Sequence, residues 1–428
     1  MRVLWLTQTP AGASELMQYN LPGCGWISSL QDYIKTEPDI NLGIAFFHNH
    51  DKFKFVDQDV TYYPVHFRNV GLVGKIKQRL TSDLYDTNVP ALLKVVEDFK
   101  PDVIHLFGTE SGMGEIIPLI KTPVVIHLQG LINPYTYAWY PKGVSPRDIW
   151  SNSSLKSKLV RTGFYFEHKF FEKRAQREQK IVANGQYFFG RTHWDKNFVK
   201  IYSADHEYIH CEEMLRSAFY NSKWVNEPGK TLKLITTVNP YLYKGVEIIL
   251  ETAKLLKQHT ALSFEWNVIG VKGDIELVQL VEKLGKARFA ENNVKFLGSK
   301  NSDEMISLML NADVFVHPSH IDNSPNSVCE AMLLGMPVIA GNVGGVSTIV
   351  KHEQTGILYN SYDPYELSGR LLEFAEDRSK YIEYAKAARR VAIERHNPQR
   401  IVETVLSTYH QMTGHTYLQK QAAPDFTV

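Results

Sequence analysis

The run from 312 to 341, ADVFVHPSHIDNSPNSVCEAMLLGMPVIAG, constrains the fold more than any other part of the chain. ADVFVHPS is β-branched and apolar and predicts a strand, and MPVIAG predicts the next one. Between them Ser324 suits an N-cap, and Pro325 suits the first helical position, where its missing N–H removes nothing. The helix should run through Glu330-Ala331-Met332 and stop at Gly335, with Pro337 as the breaker. A strand, loop, helix, strand unit of this kind belongs to a parallel sheet. Such sheets bind ligands at the carboxyl ends of their strands, and the free N–H groups of a helix start favour an anion. Asp322 lies in that loop. Glu330, in the second helical turn, leans back toward the same crevice because helical side chains tilt N-terminally. Taken alone, Asp322 reads equally well as a turn residue and Glu330 as a solvated helix position.

The same alternation extends along the chain. The first half offers strand-like RVLWLT, NLGIAFFH, VDQDVTYYPVHF, DVIHLF and PVVIHLQG, with helical ISSLQDYIKT, VPALLKVVEDFK and the long SSLKSKLVRTGFYFEHKFFEKRAQREQKIV. After the polar NSKWVNEPGK the second half restarts with TLKLITTV and continues through FEWNVIGV, NVKFLG and the opening run. At 428 residues the chain is too long for one core. The pattern predicts two doubly wound α/β units at 1–218 and 219–395. A terminal helix over 396–415 is expected to pack back on the first unit, with an unstructured tail at 416–428. A net charge of +1 gives no case for nucleic acid. Three widely separated cysteines without a C-x-x-C pair support neither a disulfide framework nor a zinc site, and fit a reducing cytoplasm. No apolar run reaches membrane-span length, and MRVLWLTQTP is too short for a signal-peptide core.

The ordered motifs of the second half, YKG at 243–245, FLG at 296–298, ADVFVHPS, CEAMLLGMPVIA, GG at 344–345 and TGILY at 355–359, resemble one known family. They are similar to the retaining GT-B glycosyltransferases of the Glu-x7-Glu type, family 4, which overlap the glycosyl transferases group 1 domain. The resemblance implies two Rossmann-like domains facing across a cleft. It also implies a nucleotide diphosphate sugar donor held mainly by the C-terminal domain, a glycan or lipid-linked acceptor on the N-terminal one, and no cofactor or required metal. A metal-free site must neutralise the diphosphate leaving group with protein cations and amide dipoles.

The family pattern then assigns roles. Lys244 matches the lysine that contacts the diphosphate. Relatives often carry an Arg slightly earlier in this loop, where Val238 or Asn239 stands here, and Arg191 in GRTHWD could supply that second cation across the cleft. Asp322 replaces the first Glu, one methylene shorter, and would face the donor sugar as nucleophile or electrostatic support. Glu330 matches the second Glu, whose carboxylate accepts the ribose hydroxyl protons. The stretch of Asn323, Ser324, Asn326 and Ser327 would meet sugar and diphosphate, with Gly270 and Ser299 near the base. In the N-terminal half, Gly23 and Gly25 stand where relatives have a Gly-rich loop. Gln129 replaces a His found in many relatives, and can bond a sugar hydroxyl but cannot act as a general base. His127, deeper on the same strand, and His105 read as core histidines.

Residues 142–180 hold ten Lys or Arg against four Asp or Glu, interleaved with Phe164, Tyr165, Phe166, Phe170 and Phe171. This segment reads as a peripheral contact with anionic lipid at the inner face of the cytoplasmic membrane, or equally as a helix pair with a buried aromatic face. Two rival functions share the architecture. A nucleotide-sugar 2-epimerase would need acid-base groups where Gln129 stands, and a non-catalytic binding or scaffold subunit would not need Lys244 and Glu330.

Overall fold

Short apolar runs separated by amphipathic helices leave the chain one economical solution, a parallel sheet covered on both faces, and it is reached twice. The computed structural model describes residues 1–14, 16, 17, 25–48, 53–67, 74, 86–225 and 229–414. Gly23, Cys24 and the tail from 415 lie outside these residues.

The first sheet contains β1 (Arg2–Thr7), β2 (Asn41–Phe47), β3 (Phe55–Asp57), β4 (Val60–Val65), β5 (Val103–Phe107), β6 (Val124–His127), β7 (Tyr187–Gly190) and β8 (Glu207–His210). Their order is β3-β4-β2-β1-β5-β6-β7-β8, and only β3 and β4 pair antiparallel. The second sheet holds β9 (Leu232–Thr237), β10 (Phe264–Ile269), β11 (Val294–Gly298), β12 (Val314–His317), β13 (Val338–Gly341) and β14 (Ile357–Tyr359). Its order, β11-β10-β9-β12-β13-β14, reverses direction between β9 and β12. The loops that leave these two strands flank the crevice that such a reversal opens.

Two local expectations are corrected. VDQDVTYYPVHF is not one strand but the β3–β4 hairpin, because Gln58 and Asp59 both take positive φ (47° and 63°) and turn the chain. The long basic run is likewise split into helices Leu155–Val160 and Phe164–Ala183. Arg161 at φ 53° and Gly163 at φ 84° interrupt it, and an α-helix cannot pass through such residues.

The terminal helix, Pro398–Thr413, lies on the first sheet, where Ile401, Val405, Leu406 and Tyr409 share a cluster with Val3 and Trp5. Its anchor is polar. The Tyr409 hydroxyl accepts the Trp5 indole N–H at 3.1 Å and meets His105 Nδ1 at 2.5 Å, while His105 Nε2 meets His127 Nδ1 at 3.1 Å. Burial holds both imidazoles well below their ordinary pKa, so they are neutral core groups, as the strand positions suggested. Tyr409→Phe should therefore cost about 1–3 kcal/mol, since it leaves the buried Trp5 N–H without its acceptor and His105 Nδ1 without its partner. Urea unfolding of the two chains measures this, and an unchanged midpoint would mean the hydroxyl anchors nothing.

Candidate active site

The site is built from loops that leave the strands of both sheets. After β12 the chain turns through Asp322 and enters the helix Asn326–Leu334. The expected cap is displaced: Pro325 occupies the N-cap position and no side chain caps the helix. Ser324 Oγ donates to Glu213 Oε1 at 2.7 Å instead, so its hydroxyl serves the interdomain segment rather than the helix start. Gly335 closes the helix at φ 78°, as its sequence position predicts. The pair Gly344-Gly345 is required by close approach. A Cβ on Gly344 would lie 2.0 Å from Asp322 O, and one on Gly345 2.2 Å from Asn323 O. The Gly345 N–H also donates to Asp322 O at 3.0 Å, which fixes the turn that carries the acid.

Lys244 comes from the loop after β9, at the end of the 3-10 turn Leu242–Lys244 and just ahead of the helix Val246–His259. Its ammonium donates to Asp322 Oδ2 at 2.7 Å, and His317 Nε2 lies 3.1 Å from the same oxygen. Burial alone would raise the Asp322 carboxyl, but Lys244 and His317 outweigh it and hold the acid well below the usual carboxylate range. Asp322 is thus an ion at neutral pH. Glu330 is the opposite case, because burial pushes it up to about 7 against the pull of Arg216. Arg216 Nε donates to Glu330 Oε1 at 2.8 Å.

A cleft of about 330 Å³ runs between the domains. Gly25, Gln129 and Arg191 line it from the N-terminal side, and Asn239, Lys244, Gly270, Ser299, Asp322, Ser324, Asn326, Ser327 and Glu330 from the C-terminal side. The structure therefore gathers on one cavity residues that lie up to 305 positions apart in the sequence, from Gly25 to Glu330. Asn323 is the exception. Its amide bridges the seam behind the cleft, donating to Gln129 O at 2.9 Å and to Asp195 Oδ2 at 3.0 Å and accepting from Thr192 Oγ1 at 2.7 Å. Arg191 faces the cleft but is not a free cation: it stacks on Trp26 at 4.6 Å and lies 3.3 Å from Glu213 Oε2.

Four further groups lie here that the sequence reading did not single out. Arg216, Glu213 and Glu110 carried no motif, and His317 was hidden inside a strand pattern. Glu110, in the loop after β5, accepts the Gly130 N–H at 2.7 Å, and burial raises it to about 7. Glu213 accepts Ser324 Oγ and Cys329 Sγ on one oxygen, and Arg191 holds it below its ordinary range despite burial. It thus ties the interdomain segment to the helix that carries Glu330.

Residues 221–391 match the family described as Glycosyl transferases group 1. The matched residues take in the whole second sheet and its cleft-facing loops. The curated relatives include the amylovoran biosynthesis glycosyltransferase AmsK of Erwinia amylovora, 27% identical over 176 residues, 40% of this chain and 42% of that protein. The match to the first three such relatives spans only 38–42% of their length. The whole chain has the GT-B fold. Sucrose-phosphate synthase from Thermosynechococcus elongatus superposes with a TM-score of 0.68 at 14% identity, covering 97% of this chain and 99% of that one. Anabaena HepE, solved with UDP and glucose, gives 0.63 at 16% identity, covering 95% and 99%. Within the matched residues the cleft face carries Lys244, Asp322 and Glu330.

Because Asp322 is charged and buried, removing Lys244 leaves His317 alone to offset its desolvation cost. Lys244→Met should destabilise by about 3–5 kcal/mol. The double variant K244M/D322N should recover at least ~1 kcal/mol relative to the sum of the singles. Urea unfolding of the four chains measures this cycle, and strict additivity would show that the pair is not coupled.

Proposed function

We propose that the chain is a retaining glycosyltransferase that moves a sugar from a nucleotide diphosphate sugar to a glycan or lipid-linked acceptor in polysaccharide or glycoconjugate assembly. One observation carries the reading: a cation, an uncapped helix start and a carboxylate converge on one interdomain cleft, in the order a diphosphate and a ribose require. In this reading Lys244 and the amides of Asn326 and Ser327 hold the diphosphate, and they supply the neutralisation for which other enzymes use a metal. Glu330 takes the ribose hydroxyls, with Gly270 and Ser299 near the base. Asp322, kept ionised by Lys244 and His317, faces the sugar as an electrostatic support for positive charge developing at the anomeric carbon. Gln129 and Glu110 meet the sugar or acceptor from the other domain. Closing the cleft excludes water and so protects the donor from hydrolysis. The UDP-bound structures of HepE, which share the fold, support the donor class.

The acceptor side points to a membrane surface, more narrowly than the sequence suggested. Phe164 and Phe171 are buried in the cluster that contains Trp139, Tyr243 and Leu277, so much of 142–180 packs internally. Arg174 and Arg177 are also engaged, both donating to the Glu110 carbonyl. What stays outside is the short helix Leu155–Val160, with Leu155 78% and Leu159 83% exposed, beside Trp150 and the basic Lys156, Lys158 and Arg161. Exposed leucines ringed by cations fit an anionic bilayer surface at the cytoplasmic face. No described helix is long and apolar enough to cross a membrane.

Incubation with UDP-, GDP- and ADP-sugars and membrane lipid extract, followed by NMR of the product anomer with and without EDTA, tests the transferase reading. A product of retained configuration, insensitive to EDTA, is expected. An epimerised nucleotide-sugar formed without acceptor, or an inverted product, would overturn it. For the surface, Leu155→Asp/Leu159→Asp should abolish flotation with vesicles of phosphatidylglycerol, and flotation of neither chain would remove the membrane contact.

A further inference from the structure

Glu330 is a poor ribose acceptor if left to itself. It is 3% exposed, and burial and the nearby Glu213 both raise it, so that it stands at about 7 even with Arg216 pulling it down. A carboxylic acid keeps its proton and offers fewer acceptor positions to a diol, so a buried acid that must receive ribose hydroxyls needs something to keep it charged.

That something is Arg216, in the interdomain segment. Its Nε and Nη2 both reach Oε1 of Glu330 at 2.8 Å, and both residues line the cleft. The guanidinium has further contacts. It stacks on Phe219 at 4.7 Å, and Nη1 donates to Ser302 Oγ at 3.0 Å, at the start of the helix Ser302–Leu310. On its stem side lies Gly25, the first residue of the helix Gly25–Ile34 in the other domain. A Cβ there would stand 2.9 Å from Arg216 Cγ and Cδ. The expected role for Gly25, letting a ligand approach the backbone, is thus joined by a second one, clearing the Arg216 stem. The side chain touches both domains and the carboxylate at once.

We propose that Arg216 is a positioning residue for the nucleotide: it aims Glu330, with one oxygen committed to the guanidinium and the other presented to the ribose. This rests on the ribose role proposed for Glu330. The other charged groups around that carboxylate do not replace Arg216. Glu213 opposes ionisation, and its own charge is balanced by Arg191 and Arg395. Lys244 pairs with Asp322 rather than with Glu330, and Lys300, which lines the cleft, pairs with Glu304 at 3.0 Å. The neutral His396 faces Glu213 through its backbone carbonyl.

The sign of the pH effect follows. An acid with a raised pKa binds the diol only above that value, so nucleotide affinity should fall as pH drops through about 7. Removing Arg216 moves the midpoint upward, and each unit of that move weakens binding about tenfold at pH below both values. The test is calorimetric titration of UDP, GDP and ADP into the full chain from about pH 6 to about pH 9, for wild type, R216Q, R216K and E330Q. For the nucleotide that binds, R216Q should lose at least about tenfold at pH 7 and recover toward wild type at about pH 9. R216K should keep the wild-type pH profile with intermediate affinity, and E330Q should bind weakly at all pH values. A parallel thermal melt separates folding loss from binding loss, and R216K carries the test if R216Q does not fold. R216Q or R216K binding like wild type across the range, while E330Q is weak, would overturn the proposal and leave the ribose role standing. A loss in R216Q with no recovery at high pH would also overturn it. Unchanged affinity in E330Q, or no binding of any of the three nucleotides by wild type, would sink the ribose role itself.

Discussion

The arrangement depends on keeping two carboxylates of opposite tendency in one dry cleft. Asp322 and Glu330 are both almost completely buried, and each pays a desolvation penalty of several kcal/mol in its charged form. Asp322 recovers it through Lys244 and His317 on a single oxygen, and Glu330 only partly through Arg216. The two acids therefore differ in state near neutral pH although they sit on one loop and one helix. Divergent acid strengths in neighbouring groups are what a site needs if one is to stay a fixed charge and the other is to recognise hydroxyls.

That balance is maintained by the seam between the domains as much as by the C-terminal domain itself. Glu213 joins the interdomain segment to Ser324 and Cys329, Asn323 reaches Gln129 and Asp195, and Arg216 wedges between Gly25 and Glu330. The Asn323 contacts and the approach of Gly25 to Arg216 cross between the two domains, whereas Glu330, Ser302 and Phe219, which also contact Arg216, lie with the second sheet.

Much of this was legible in the sequence. Apolar β-branched runs such as ADVFVHPS and TLKLITTV are strands, Gly335 ends its helix, and Lys244, Asp322 and Glu330 share one cavity because a parallel sheet places its loops at one edge. What stayed hidden had no local signature. Gln58 and Asp59 turn the chain without the usual Gly or Asn, and Ser324 loses its capping role to Glu213, 111 residues away. Asn323 belongs to the seam because its partners Thr192 and Asp195 approach only in the folded chain. Arg216 lies in an unpatterned segment and meets Glu330 across 114 residues. Periodicity reports which elements form, whereas cross-domain pairing is decided by packing that no short window contains.

The central claim is that one cleft holds a pyrophosphate by Lys244 and a helix start while Glu330 grips the adjoining ribose. A crystal structure of the chain with UDP, or with GDP or ADP if that is the nucleotide bound, addresses it directly. The account predicts both phosphates within hydrogen-bond reach of Lys244 Nζ and the Asn326 and Ser327 amides, with ribose hydroxyls on Glu330 Oε2 and Arg216 still on Oε1. A nucleotide seated elsewhere, or one whose ribose leaves Glu330 untouched, would contradict it.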